Sequence, residues 1–326
     1  MAGQFADRRA HAMKTLKTDM PADTAAPIFR RLAAMLPEYY ELTKPRVVAL
    51  LMFTAVVGMF LATPGMVPVD ALVLGLLGIG LGAASGAVIN QVIDLGADAV
   101  MTRTRSRPLP QGQVTVRQAL VFGIGLGVLS MVILVAWVNL LTAVLTLVSL
   151  IGYAIIYTVF LKRITPQNIV IGGAAGAAPP LLGWAAVHGS LSGDAFLLFL
   201  IIFFWTPPHF WALALYRHQD YARAGIPMLP VTHGSHYTRL QILLYTLILS
   251  AITVLPYVSR MSGLFYLVAA VALNAGFVYR AWRLYRHYSD ADARRTFGYS
   301  IQYLSLLFAA LLLDHYRGFF AGLAGG

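Results

Sequence analysis

Nine long apolar runs constrain the fold of this chain more than any other feature. Each has about 20 residues, the length that a helix needs to cross the hydrocarbon core of a bilayer. Because unpaired backbone N–H and C=O groups are costly in lipid, such runs cross as helices. The sequence therefore predicts an all-α, polytopic membrane protein with nine transmembrane helices. The predicted spans are residues 46–63, 68–92, 116–137, 139–159, 168–188, 194–215, 238–258, 262–281 and 298–316.

The overall composition supports a membrane protein and excludes several other classes. Of the 326 residues, 59% are hydrophobic and only 11% are charged, whereas a soluble domain has about 25% charged residues. The chain has no cysteine. A disulfide framework and a thiolate metal site are therefore both excluded.

The basic residues lie almost entirely on one side of the predicted spans. Of the 24 lysines and arginines, 22 lie in alternate loops or the N-terminal segment, and the other two are Arg260 and Arg317. Cytoplasmic loops carry this kind of excess, which places the N-terminus and the long loops in the cytoplasm. The same distribution explains the net charge of +11 without a nucleic-acid partner. We expect residues 1–36 to form a mobile cytoplasmic tail and residues 37–326 to form the transmembrane domain.

A column of oxygen-bearing side chains follows the second span. Asn90, Asp94 and Asp98 are four residues apart, and in a continuing helix they would span roughly 12 Å along one face. Mg²⁺ prefers oxygen ligands and is commonly held by one or two carboxylates together with substrate phosphates. The column therefore predicts a Mg²⁺ site at the membrane boundary. The competing interpretation is a solvated helix end, but acidic residues that emerge from an apolar helix favour a functional site.

Three arginines follow this column directly. Arg103, Arg105 and Arg107 lie within the sequence RTRSRPLP, and a guanidinium group presents a fixed fork of donors that suits phosphate oxygens. Considered without the oxygen column, this cluster would be explained as ordinary cytoplasmic arginines. Beside the oxygen column, we assign all three to binding a diphosphate.

Two further segments bring basic residues to the same membrane level. Lys44 and Arg46 stand at the entry of the first span, and Tyr157 to Arg163 close the fourth. We assign Lys44, Tyr157 and Lys162 to substrate binding. Arg46 and Arg163 are more simply explained as interfacial anchors.

A second polar constellation begins inside the sixth span and enters the loop after it. Asp220 is its only carboxylate, and His209 lies in its apolar part behind Pro207 and Pro208. On an ideal helix His209 would lie about 16 Å below Asp220. A substrate ligand and a hydrogen-bonded core histidine are equally supported for His209. If His209 is not the ligand, His218 and His233 are the next candidates.

Small residues mark two of the spans. Gly78, Gly82 and Gly86 form a stripe on the second span that runs into the oxygen column, and close helix packing explains it best. The fifth span also has a concentration of small residues, between residues 172 and 180. There, close packing and a widened cavity for a bulky substrate are equally supported.

Several motifs together resemble a known family. The pattern NxxxDxxxD followed by RTRSRPLP resembles the UbiA superfamily of intramembrane prenyltransferases. The stretches LTKPR, YTVFLKRITPQN, WTPPHFWALAL and DYARAGIPMLPV are similar to one branch of that superfamily. The resemblance extends from about Leu42 to His315, which is nearly the whole membrane region.

This resemblance implies a fold and a reaction. It implies a helical bundle around a central cavity, in the bacterial inner membrane, with Mg²⁺ bound by Asn90, Asp94 and Asp98. It also implies transfer of a farnesyl group from farnesyl diphosphate to a vinyl group of haem b, with water added. The two substrates and membrane lipid are thus the expected partners. The product would pass to a downstream haem-modifying enzyme or would be used in the assembly of cytochrome oxidase.

The chain departs from the family pattern at one point. The wider superfamily usually has a second pair of aspartates, DxxxD, after the sixth span. Here the corresponding stretch YRHQDYARAG offers only Asp220, with His218 nearby. Asp220 is therefore the candidate fourth metal ligand, and either a single ion or a second ion held mostly by water is compatible with the sequence.

Two alternatives remain from the sequence alone. The first is a prenyltransferase for a quinone or chlorophyll precursor, which the branch-specific stretches disfavour. The second is a secondary transporter with an intramembrane ion site. The acids of this chain cluster near one surface beside donors suited to phosphate, which favours the enzyme.

Overall fold

A computed structural model describes residues 35–324 of the chain, so most of the predicted tail, residues 1–36, lies outside the described residues. The chain divides into two units, Met1–Tyr39 and Tyr40–Gly326. The second unit contains the membrane region and is described below. No strand occurs among residues 35–324, and the predicted all-α fold is confirmed.

The described residues form helices joined by short connections. In chain order they are α1 (Leu36–Leu42), α2 (Pro45–Leu61), α3 (Val69–Ile93), α4 (Leu95–Val100), α5 (Val116–Trp137), α6 (Leu140–Ile164), α7 (Asn168–His188), α8 (Gly193–Tyr216), α9 (His218–Arg223), α10 (Leu229–Thr232), α11 (Gly234–Ile252), α12 (Leu255–Val258), α13 (Leu264–Arg286) and α14 (Asp290–Ala324).

The lengths of these helices agree with the predicted spans. Within residues 35–324, eight helices are long and apolar enough to cross a membrane, and a ninth span is formed if α1 and α2 are taken together across a bend of 54°. The bend lies at Lys44, whose backbone is left-handed at φ 52°. A left-handed backbone is costly for any residue other than glycine, and a residue before proline normally avoids helical conformations. The conformation of Lys44 is therefore unusual on both counts.

Two features of α6 determine what it presents to the rest of the bundle. Asn139 separates α5 from α6, because its side-chain oxygen accepts a hydrogen bond from the Thr142 amide at 2.8 Å and caps the new helix. Residues 152–161 then adopt a π-helix. A π-helix moves side chains out of the usual register and is frequent at functional sites.

Small residues let α3 pack closely against α5 and α6. A Cβ atom at Gly82 would lie 2.7 Å from the Thr146 side chain, and the Ser130 hydroxyl donates to the carbonyl of Gly78 at 2.6 Å. The packing explanation of this glycine stripe is therefore confirmed. On α7 the result is mixed, since Gly173 lies against Thr206 whereas Gly176 has open space beside it.

The largest apolar cluster surrounds α8. This helix packs against α7, α11 and α14, and its buried residues include Leu198, Ile201 and Trp205. Pro207 and Pro208 lie inside α8 without ending it. The helix does end at Tyr216, before Asp220, so the depth of 16 Å expected for His209 from a single ideal helix does not apply.

Candidate active site

The oxygen column is built by a helix that continues past its apolar part. The amide of Asp94 donates to the Asn90 carbonyl at 2.9 Å, and the amide of Asp98 donates to the Asp94 carbonyl at 2.8 Å. Although Asp94 separates α3 from α4, the helical hydrogen-bond spacing is thus kept from one helix into the next. All three residues are buried, with exposed fractions of 4%, 3% and 5% in chain order.

Each member of the column is paired with a different basic residue. Lys44 donates to the Asn90 side-chain oxygen at 2.5 Å, and Lys162 donates to Asp94 at 2.5 Å. Arg107 donates to Asp98 at 2.5 Å. Three of the residues assigned to substrate binding from the sequence, which come from three separate parts of the chain, therefore meet three of the four residues assigned to the metal.

Neighbouring groups fix the side chain of Asn90. Its amide nitrogen donates to Asp94 Oδ2 at 2.9 Å and to the Thr158 hydroxyl at 3.1 Å. That hydroxyl in turn donates to the Tyr153 carbonyl within the π-helix, at 2.7 Å. The amide oxygen is therefore held toward Lys44, in an orientation that a cation could use.

The column fits a hard divalent cation. Asp94 Oδ1 is buried without a hydrogen-bond partner among the described residues, and burying an unpaired carboxylate oxygen is costly. A metal ion would satisfy that oxygen, and Asn90 and Asp98 offer further oxygen ligands of the type that Mg²⁺ prefers. The donor set of this helix therefore suits such an ion.

A cavity of about 410 Å³ opens beside Asp94. Its walls come from the α4 segment, from the end of α6 and from the chain directly after α9. The basic residues that line it are Lys162, Arg163 and Arg223. Arg163, which the sequence suggested as an anchor, thus reaches the cavity, and its guanidinium also lies 3.4 Å from the Ile93 carbonyl.

Asp220 lies on α9, against the loop that follows α4. Its Oδ1 accepts hydrogen bonds from the Thr102 hydroxyl at 3.0 Å and from Arg223 at 2.5 Å, and Arg217 lies 3.7 Å from Oδ2. Burial raises the pKa of this carboxyl, but the bonds from Thr102 and Arg223 outweigh burial and hold the pKa below its usual value. Asp220 is therefore ionised and already compensated.

Asp94, Asp98 and Asp220 do not form a single three-carboxylate cluster. Within residues 35–324, no group of three acidic, histidine or cysteine side chains is placed to hold a metal. The metal ligands suggested by the sequence thus divide into the column on α3 and α4, and a separate carboxylate on α9. His218, the histidine next to that carboxylate, has its Nδ1 3.2 Å from the Leu215 carbonyl.

His209 is buried between aromatic rings. It stacks on Trp205 with ring centroids 4.2 Å apart and on Phe297 at 4.6 Å, and its Nδ1 lies 2.7 Å from the Ser300 hydroxyl. That hydroxyl donates its one proton to the Phe297 carbonyl at 2.6 Å, so it can only accept from His209. Nδ1 is therefore protonated, and Nε2 of the neutral ring carries the lone pair that a metal requires.

The remaining predicted residues lie apart from these contacts. Arg103 and Arg105 are exposed on the loop after α4. Tyr157 stacks on Tyr153 with ring centroids 5.8 Å apart, and it fills the space beside Gly172. The tyrosine pair thus covers one side of the π-helix next to Thr158.

Sequence reasoning missed Thr102, Thr158 and Arg223. Thr102 and Asp220 are 118 positions apart, and Asn90 and Thr158 are 68 apart, so no local pattern joins them. Arg223 could have been suspected because it follows Asp220 by three positions, which places both on one helix face.

Comparison with known proteins places these features in a family context. Residues 51–311 match the model of the UbiA prenyltransferase family. A protein from Nitrosomonas eutropha named protoheme IX farnesyltransferase is 59% identical over 289 residues, covering 89% of this chain and 97% of its own length. One of the same name from Thioalkalivibrio sulfidiphilus is 64% identical over 278 residues, covering 85% and 92%.

Solved structures share the fold at low sequence identity. A digeranylgeranylglyceryl phosphate synthase has a TM-score of 0.74 at 18% identity, and the match covers 87% of this chain and 99% of that one. A UbiA homologue from Archaeoglobus fulgidus bound to DMAPP and Mg²⁺ has a TM-score of 0.60 at 19% identity, covering 84% and 99%. These neighbours share the architecture of the bundle.

Proposed function

The chain belongs to the UbiA prenyltransferase family, and we propose that it transfers a farnesyl group from farnesyl diphosphate to a vinyl group of haem b. The product is haem O, the hydroxyethylfarnesyl haem, and diphosphate is released. Relatives of about 60% identity named protoheme IX farnesyltransferase support this reaction. The observation that carries it is the pairing of each residue in the oxygen column with its own lysine or arginine.

The column is the binding site for the metal in this proposal. Asn90, Asp94 and Asp98 hold a divalent ion, Mg²⁺, through their side-chain oxygens. When bound, the ion supplies Lewis acidity that neutralises the departing diphosphate. The family neighbour solved with DMAPP and Mg²⁺ supports this choice of metal.

The basic partners of the column exchange their contacts when substrate arrives. In the absence of other ions, Arg107 and Lys162 neutralise the two carboxylates of the column and Lys44 donates to the uncharged Asn90 amide, each at a donor–acceptor distance of 2.5 Å. With those oxygens occupied by a divalent ion, Lys44, Arg107 and Lys162 would be available to donate to phosphate oxygens at the same place. Arg103 and Arg105, exposed on the adjoining loop, add to the positive field that attracts the diphosphate.

The residues around the farnesyl chain then determine how the allylic group reacts. The bond between the first farnesyl carbon and the diphosphate oxygen breaks, and the diphosphate leaves with the bonding electrons. The vinyl π electrons form the new carbon–carbon bond, water adds to the resulting cation, and a proton is released to solvent. Apolar residues between the helices keep water from the allylic cation until the new bond has formed.

Placement in the membrane completes the proposal. The charge bias of the loops supports a cytoplasmic N-terminus and a site that opens to the cytoplasm, in the bacterial inner membrane. Both substrates are lipophilic and reach the bundle through lipid. A haem-modifying enzyme or an oxidase under assembly takes up the product.

Release of diphosphate by the purified full chain tests this function. In detergent or nanodiscs, release from farnesyl diphosphate should require both haem b and a divalent metal, and EDTA should stop it until Mg²⁺ is restored. Unchanged release after removal of metal would contradict the metal assignment. Release that depends on a quinone or chlorophyll precursor instead of haem b would contradict the acceptor.

A further inference from the structure

The cavity beside Asp94 has an uneven distribution of charge. The segment between α3 and α4 contributes one carboxylate, Asp94, whereas the ends of α6 and α9 contribute Lys162, Arg163 and Arg223. Divalent metal ions are held by carboxylates and other oxygens, whereas phosphate oxygens are bound by basic side chains. A cavity with three cations and one carboxylate is suited to an anion with one metal ion.

Asp220 is placed to hold Arg223. Among the described residues that line the cavity, Arg223 is present and Asp220 is not. Both oxygens of this carboxylate have basic or hydroxyl partners, and its 2.5 Å contact with Arg223 is the shortest of them. The same Arg223 nitrogen, Nη2, lies 3.4 Å from the Thr102 hydroxyl, and Nε lies 3.4 Å from the Gln219 carbonyl, so these contacts orient the guanidinium at the edge of the cavity.

We propose that Arg223 binds an oxygen of the diphosphate and takes the place of a second metal ion, so that this chain works with a single divalent ion. This inference rests on the proposed function. A guanidinium remains charged and presents donors in a fixed fork, and such groups stabilise charge on transferred phosphate groups. Asp220 is then a positioning residue that acts through Arg223, and it is not a metal ligand.

The number of metal ions gives the first test. The full-length chain in nanodiscs is titrated with Mn²⁺ in the presence of an unreactive thio analogue of farnesyl diphosphate, and free Mn²⁺ is measured by electron paramagnetic resonance. The inference predicts one Mn²⁺ bound per chain at saturation. Two ions bound per chain would overturn it.

The affinity for the analogue gives the second test, with a matched control. Arg217 and Arg223 both lie next to Asp220, but only Arg223 lines the cavity. At saturating Mn²⁺, Arg223→Ala should weaken binding of the analogue at least tenfold, and Arg223→Lys should restore part of the loss. Arg217→Ala should change affinity less than twofold. Equal effects of the two alanine variants, or none from Arg223→Ala, would overturn the role of Arg223.

A double mutant separates a positioning role from a ligand role for Asp220. If this residue acts through Arg223, Asp220→Asn weakens binding of the analogue when Arg223 is present. In the Arg223→Ala background, the same substitution lowers the affinity by less than a further twofold. A further tenfold loss in the double mutant would show that Asp220 has a contact of its own and would contradict the inference. If the wild-type chain binds no analogue and forms no farnesylated haem, the proposed function itself fails. Normal product with two ions refutes the single-ion inference alone.

Discussion

Asn90 shows at the residue scale how this site is prepared before substrate arrives. One amide group contacts a lysine, a carboxylate and a hydroxyl from three different helices or their ends. Its sequence position predicted a ligand on one helix face. The identity of its partners could not be predicted, because Lys44 and Thr158 reach it only when the bundle has folded.

The carboxylates of the column carry the first prediction. Asp94→Ala and Asp98→Ala should each lower diphosphate release by about 100-fold or more, since loss of a charge-stabilising group of this kind costs ~3 kcal/mol in the transition state. Asp70→Ala is the matched control, because Asp70 is exposed in the first turn of the same helix, and it should leave the rate unchanged. Wild-type turnover of the Asp94→Ala variant would show that Asp94 is not part of the site.

His209 carries a second prediction, about the acceptor. With Nδ1 committed to Ser300, the free Nε2 lone pair is available to the iron of haem b. We predict that His209→Ala shifts the visible spectrum of bound haem and weakens its binding, while binding of the farnesyl analogue with metal is nearly unchanged. His188→Ala, at the exposed end of α7, is the control. An unaltered haem spectrum and affinity would leave His209 as a core residue and make His218 and His233 the next candidates.

At the scale of the helices, apolar length predicted most of what the structure contains. The expected spans coincide with α2, α3, α5, α6, α7, α8, α11, α13 and α14 to within a few residues at most ends. The π-helix of residues 152–161 could not be predicted, because it differs from an α-helix only in its hydrogen-bond register. The left-handed backbone of Lys44 could not be predicted either, since residues before proline usually adopt an extended backbone.

Two glycines of α7 give a prediction at this scale. A Cβ atom at Gly183 would collide with the backbone carbonyl of Ala55 on α2, which cannot move aside, whereas Gly176 has nothing within 4 Å. Gly183→Ala should therefore destabilise the protein by about 1–3 kcal/mol and lower the midpoint of thermal unfolding in detergent. Gly176→Ala should leave that midpoint nearly unchanged. Equal midpoints for the two variants would contradict the close contact between α2 and α7.

At the scale of the whole molecule, the charge bias of the loops predicts the orientation in the membrane. With nine spans and a cytoplasmic N-terminus, reporter fusions at Gly234 and Gly326 should lie on opposite sides of the membrane, because the three spans after Gly234 are an odd number. Fusion of an enzyme active only in the cytoplasm and of one active only outside it measures this directly. The same side for both positions would mean that one span has been miscounted.

The most direct test of the whole account is the haem that the protein makes. The chain is expressed in bacterial cells that lack farnesylated haem, and haem is extracted and analysed by mass spectrometry. The account predicts haem b in which one vinyl group has become a hydroxyethylfarnesyl group in cells with the wild-type chain, and only haem b in cells with Asp94→Ala. Unmodified haem b from cells that contain the folded wild-type chain would contradict it.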